Sequence, residues 1–119
     1  MIGSALLSES DLSTRMNETE FTTISNEMLE AISSSIDRAD LDIDCSFKGE
    51  GILEIEFDDG TKLVINRNTP VREIWVAAPS GGFHFRAVAG RWVDTRDGVE
   101  LGARVSALLK ASTGQDIPV

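Results

Sequence analysis

Between Asn17 and Asp44 the chain carries eight carboxylates (Glu18, Glu20, Glu27, Glu30, Asp37, Asp40, Asp42 and Asp44) against one cation, Arg38. Carboxylate oxygens with no converging imidazole or thiolate suit hard ions such as Fe3+, Ca2+ and Mg2+, and fit zinc or copper poorly. The spacing of a calcium-binding loop is absent from the sequence. A metal site built from these acids would therefore be open, watery and weak. Crowded like charges are relieved equally well by docking a basic partner. The same acids can also serve as nothing more than a solvated face.

The remaining side chains able to do chemistry are few. His84 is the only histidine, so no histidine pair exists for a zinc site, and a hydrogen-bonded surface role is the plain reading. Cys45 is the only cysteine, which excludes an internal disulfide and fits a reducing compartment. It alternates with apolar positions and has no basic neighbour in sequence to lower its pKa, so it reads as a buried structural thiol. Trp75 falls in a strand-like run; if Ile74 and Val76 point inward, Glu73, Trp75 and Ala77 face outward. An outward indole would be an anchor for another protein, whereas a register shift would seal it in the core. Gly81-Gly82 precedes a strand and no helix start follows, so it does not form a phosphate cradle. Neither a nucleophile elbow nor a Walker motif nor a CxxC pair occurs.

The elements that must position these groups can be read from periodicity. Asn17 and Glu20 have capping-box spacing, and a helix is predicted over 17–38. Its apolar stripe is Phe21, Ile24, Met28, Ala31, Ile32 and Ile36, with Glu27, Glu30 and Asp37 opposite. The period then changes to two. Leu41, Ile43, Cys45 and Phe47 alternate with Asp42, Asp44 and Ser46 as a first strand whose carboxylates face water. A second strand follows through Leu53, Ile55 and Phe57, then the Asp58-Asp59-Gly60 turn, and a third over 61–66. Asn68-Thr69-Pro70 interrupts the ladder. Strands over 71–77, 83–87 and 91–94 come next. Asp97-Gly98 opens a final helix with Leu101, Val105, Leu108 and Leu109 as its apolar stripe, stopped at Gly114. Gly102 inside that helix is expected to cost about 1 kcal/mol against alanine and to leave it loosely held.

The implied architecture is α+β: a two-layer α-β sandwich, with about six antiparallel strands and both helices on one sheet face. With 119 residues one domain is expected. Residues 1–15 read as a disordered N-terminal extension, 16–114 as the domain and 115–119 as a C-terminal tail. Eleven Lys and Arg face twenty Asp and Glu, a formal net charge of -9. That balance disfavours nucleic acid and anionic membranes. The sequence contains no apolar run long enough to span a bilayer and no secretory signal, so the protein reads as cytoplasmic, and a monomer is the default.

Four segments together resemble the frataxin family, in its bacterial CyaY branch: Asp42-Ile43-Asp44, Asn66-Arg67-Asn68-Thr69-Pro70, Arg72-Glu73-Ile74-Trp75-Val76-Ala77-Ala78 and Gly81-Gly82-Phe83-His84-Phe85. Each motif alone is modest, while their order and spacing are specific. The resemblance implies an α-β sandwich and weak ferrous and ferric iron binding by acids of the first helix and strand. The matching positions are Asp37, Asp40, Asp42 and Asp44, with Glu27 and Glu30 further up the helix. It implies a non-enzymatic role in iron–sulfur cluster assembly, as a regulator of the cysteine desulfurase and scaffold protein and an iron carrier. Asn66, Trp75 and His84 fall on the family's partner-facing surface. Two departures stand out: Asn68 replaces the family's turn glutamine, and Arg38, Ala39 and Leu41 interrupt the acidic run. The alternatives are a ferroxidase or iron-storage unit, which would need a di-iron ligand set absent from the sequence, and an acidic interaction module without a specific metal role.

Overall fold

A computed structural model describes residues 16–119, so the expectation for residues 1–15 lies outside the described part. The elements are α1 (Glu18–Ala39), β1 (Asp44–Phe47), β2 (Ile52–Glu56), β3 (Lys62–Asn68), a 3-10 turn (Thr69–Val71), β4 (Glu73–Ala78), β5 (Gly81–Val88), β6 (Arg91–Asp94) and α2 (Leu101–Thr113). The six strands form one antiparallel sheet in chain order, β1 to β6. Short connections permit only this meander, because parallel neighbours would need long crossovers. Alternate residues of each strand face the two helices. Leu53, Ile55, Leu63, Ile65, Ile74 and Phe85 meet Phe21, Leu29 and Ile32 of α1 and Leu101, Val105 and Leu109 of α2 in one fully buried layer. Burying each such side chain contributes about 1.5–3 kcal/mol.

The capping box forms as its residues suggest. Glu20 N–H donates to Asn17 Oδ1 at 2.8 Å and Asn17 N–H to Glu20 Oε1 at 3.1 Å. The buried stripe of α1 differs from the expected one. Phe21, Ser25, Leu29, Ile32 and Ile36 face the sheet, Ile24 and Met28 are half-buried, and Ala31 is exposed. Ser25 can occupy this stripe because its hydroxyl donates to the Thr22 carbonyl at 3.2 Å, which removes the cost of an unpaired buried donor.

The third strand runs on to Asn68, which pairs with Glu73 instead of interrupting the ladder, and the fifth begins at Gly81, which pairs with Ala78 instead of staying in the turn. Three further boundaries move for identifiable reasons. The first strand begins at Asp44 instead of Leu41, because its partner β2 ends at Glu56, opposite Asp44, and Leu41 and Ile43 form a tight turn with Ile43 N–H on the Leu41 carbonyl. Phe47 faces the expected side, but β1 is the sheet edge and the ring stays 46% exposed. The fourth strand begins at Glu73; Pro70 sits in the 3-10 turn, Arg72 takes φ 55°, and Val71 is 52% exposed. Finally, α2 starts at Leu101. Asp97 and Gly98 belong to the preceding turn, where Asp97 accepts from Val99 N–H at 3.0 Å and Gly98 N–H reaches the Asp94 carbonyl.

Residues 115–119 return to the core. Ile117 is 2% exposed, Ser106 Oγ donates to the Ile117 carbonyl at 2.7 Å, and Val119 N–H donates to Ser106 Oγ at 3.2 Å. A Cβ on Gly102 would stand 2.8 Å from the Val119 carbonyl oxygen. Gly102 is therefore the gap in α2 against which this segment rests, a packing role in addition to the expected loosening of the helix. Gly114 ends the helix in the left-handed region at φ 75°, as its position suggests.

Candidate functional site: an acidic edge and an open sheet face

Two surfaces converge on the β1 side of the molecule and the open sheet face. The first is acidic. Glu27, Glu30 and Asp37 project from α1 into solvent, and Asp40, Asp42 and Asp44 follow along the exit of the helix into β1; all six are exposed. Asp40 is held in the left-handed region at φ 51°, with its N–H on the Asp37 carbonyl. That geometry turns the chain from helix to strand and keeps Asp37 and Asp40 at one end. Among the described residues none of these six carboxylates forms an ion pair, and Arg38 donates to Ser35 Oγ instead. The repulsion expected from the composition is thus left uncompensated by the cations of the described residues. Three carboxylates of β2 and the β2–β3 turn extend the surface. Glu56 stands opposite Asp44 in register, and Asp58 and Asp59 line a surface cavity of about 260 Å³ together with Asp42. Asp59 is held below the usual carboxylate range by hydrogen bonds from the Thr61 hydroxyl and N–H. From sequence Asp58 and Asp59 are only turn residues and none of the three belongs to the acidic group; the β1–β2 register and the β2–β3 turn bring them to it.

The arrangement is a row and not a cage. Among the described residues no three His, Cys, Asp or Glu side chains converge to hold one metal ion. Such a row can attract and concentrate hard cations or a basic surface through the field of its summed charge. Cys45 lies under it, half-buried, with Sγ 3.9 Å from Ser33 Oγ. Burial pushes its thiol pKa up; the Ser33 contact lowers it, and the nearby Asp37 charge raises it further. Cys45 is therefore poorly suited to act as a nucleophile.

The second surface is the open face of the sheet. Asn66 on β3, Trp75 on β4 and His84 on β5 lie directly opposite one another in the two ladders, so the three residues named from sequence form one row across three strands. The sealed-core reading of Trp75 does not hold: Trp75 faces away from the helices and is half-buried. Its indole stacks on the His84 ring, with centroids 4.4 Å apart and planes 9° from parallel. Indole Nε1–H donates to Glu73 Oε1 at 2.8 Å, and the same oxygen is 3.8 Å from His84 Nδ1. Glu73 carried no role in the sequence reading; its signal was its place two residues before Trp75 on the same strand face. On one side of the row lie Val64, Ala77 and Gly82, also in register.

Arg67, which reads from sequence only as part of a turn, faces the helices and fixes the end of β3. Its guanidinium donates to Asn26 on α1 and to Glu50 at 2.8 Å, and only 10% of the side chain is exposed. It ties α1 to the β1–β2 turn and so relates the acidic edge to the sheet.

A family model described as the frataxin-like domain matches residues 14–115. The protein from Paraburkholderia phymatum named iron-sulfur cluster assembly protein CyaY is 41% identical over 104 residues, covering 87% of this chain and 98% of its own. The solved frataxin of Psychromonas ingrahamii superposes with a TM-score of 0.81 at 29% identity, covering 86% of this chain and 96% of its own. A trimeric frataxin from Saccharomyces cerevisiae matches at a TM-score of 0.66 and 25% identity, covering 77% of this chain and 80% of its own. With the two-layer fold, the motif order and a match across nearly the whole described chain, this protein belongs to the frataxin-like family.

Proposed function

We propose that this protein acts in iron–sulfur cluster assembly, as an iron-binding regulator that docks on the cysteine desulfurase and scaffold machinery of the cytoplasm, working as a monomer and not as an enzyme. The observation that carries this reading is the pairing of an uncompensated acidic edge with an outward Asn66–Trp75–His84 row on a rigid sheet. Carboxylates draw in iron or a basic surface; the indole supplies a compact apolar anchor of the kind that dominates binding energy. Asp37, Asp40, Asp42 and Asp44 are the proposed iron contacts, with Glu27 and Glu30 as outlying ones. Iron held there lowers the local negative charge and so weakens steering toward a basic partner. The ferroxidase alternative is not favoured, because a di-iron centre needs converging ligands and the described acids lie in a row.

Titration with Fe2+ followed by NMR tests the iron assignment. Broadening is expected first around 37–44 and Glu56, and broadening confined to the β5–β6 side would refute it. Trp75→Arg should abolish desulfurase binding, while neutralising Asp40, Asp42 and Asp44 together should mainly slow association at low salt. Light scattering with and without iron checks the monomer.

A further inference from the structure

We propose that Glu73, Trp75 and His84 form a proton-operated clasp at the centre of the open sheet face. The inference rests on the docking role assigned above to that face. One carboxylate oxygen, Glu73 Oε1, already accepts the indole N–H at 2.8 Å and stands 3.8 Å from His84 Nδ1. The imidazole lies flat on the indole at 4.4 Å. A proton on His84 changes three things at once. Nδ1–H becomes a charged donor facing Glu73. The imidazolium gains cation–π attraction to the indole beneath it. The Glu73 charge, on a side chain only 15% exposed, becomes neutralised. The ring that must meet a partner is then pinned from both sides.

Charges from the neighbouring elements set the balance. Glu73 of β4 is the negative charge facing the ring. On β5 itself, Arg86 lies opposite Glu73 in register and is a competing cation. Beyond β6, Arg96 donates to the Gly82 carbonyl at 3.0 Å and adds positive charge near the same strand. Asn66 on β3 faces Trp75 and carries no charge. Histidine is the side-chain type whose ordinary charge change falls nearest neutral pH. Docking on a basic partner should weaken on acidification, because the clasp removes one negative charge from the centre of the interface.

The test has two arms. On the free protein, the Trp75 indole N–H resonance is followed from pH 8 to pH 5.5 alongside the His84 ring signals. The two are expected to move together, with the Trp92 indole, buried against Phe21, as the unmoving reference. Glu73→Gln should shrink the Trp75 indole N–H shift across the His84 transition, leaving only the part carried by the stacked rings. A Trp75 signal that ignores the titration of His84 overturns the clasp. In the second arm, binding to purified desulfurase is compared at pH 8 and pH 6. The parent chain should weaken about two- to five-fold more than His84→Gln, as expected for one exposed charge. Equal ratios for the two chains overturn the effect on docking. Absence of any binding at pH 8 refutes the docking role instead, and leaves the first arm to decide the clasp.

Discussion

Replacing Gly102 with alanine sets two opposed effects against each other. Gly102 is the second residue of α2, where alanine gains at most about 1 kcal/mol of helix propensity. Against this, the new Cβ would lie 2.8 Å from the Val119 main-chain oxygen. The segment that ends there must shift. It is held by the burial of Ile117 and by two hydrogen bonds to Ser106. Full release would cost about 1.5–3 kcal/mol for the isoleucine and about 1 kcal/mol for each hydrogen bond. The net loss expected for Gly102→Ala is therefore about 1–3 kcal/mol, with a fall in Tm of about 4–8 °C for each kcal/mol. The assay is urea unfolding of a cycle in which the same substitution is also made in a chain ending at Gly114. There the obstacle is gone and alanine should stabilise. A stabilising Gly102→Ala in the full chain would refute the packing argument and restore the simple view of a loosened helix.

Other expectations concern the acidic edge and its surroundings. Asp40→Gly should stabilise by about 0.5–1 kcal/mol, because Asp40 occupies the left-handed region at φ 51°, while reducing Fe2+ broadening around β1; a lower Tm would contradict the cap argument. Cys45 should react with iodoacetamide at pH 8 more slowly than a free cysteine, since burial foremost raises its pKa; equal rates would refute the shielding. Asp97 is held below the ordinary carboxylate range first by the Val99 N–H and then by Arg104. A depressed folded-state pKa contributes stability that is present above the unfolded value and lost as pH falls through the folded one. Asp97→Asn should therefore flatten the acid limb of the stability curve below about pH 4, and an unchanged limb in acid unfolding would count against the bond.

How much of this was legible beforehand differs from element to element. Asn17 and Glu20 announced the start of α1 because a capping box is a local arrangement of four residues. The alternation through Leu53, Ile55, Leu63 and Ile65 announced which sheet face is covered, and with it the outward side of Glu73, Trp75 and Ala77. The choice of Leu29 over Ala31 for the buried stripe was not legible. Both positions fit a helical period, and only the angle at which α1 lies on the sheet selects between them. The acidic edge was half legible. Asp37, Asp40, Asp42 and Asp44 are close in sequence, whereas Glu56, Asp58 and Asp59 join them through cross-strand pairing and a turn that follows it.

Local and periodic information by itself determined the order of elements, the antiparallel meander forced by short turns, the covered face of the sheet and the acidic character of the helix-to-strand exit. Tertiary structure alone decided which residues meet across distance: His84 on Trp75, Glu73 under both, Arg67 on Asn26, and Val119 over Gly102. The physical reason is that periodicity constrains the direction a side chain takes from its own backbone, while contact depends on strand register and helix placement, which the packing of the whole core selects.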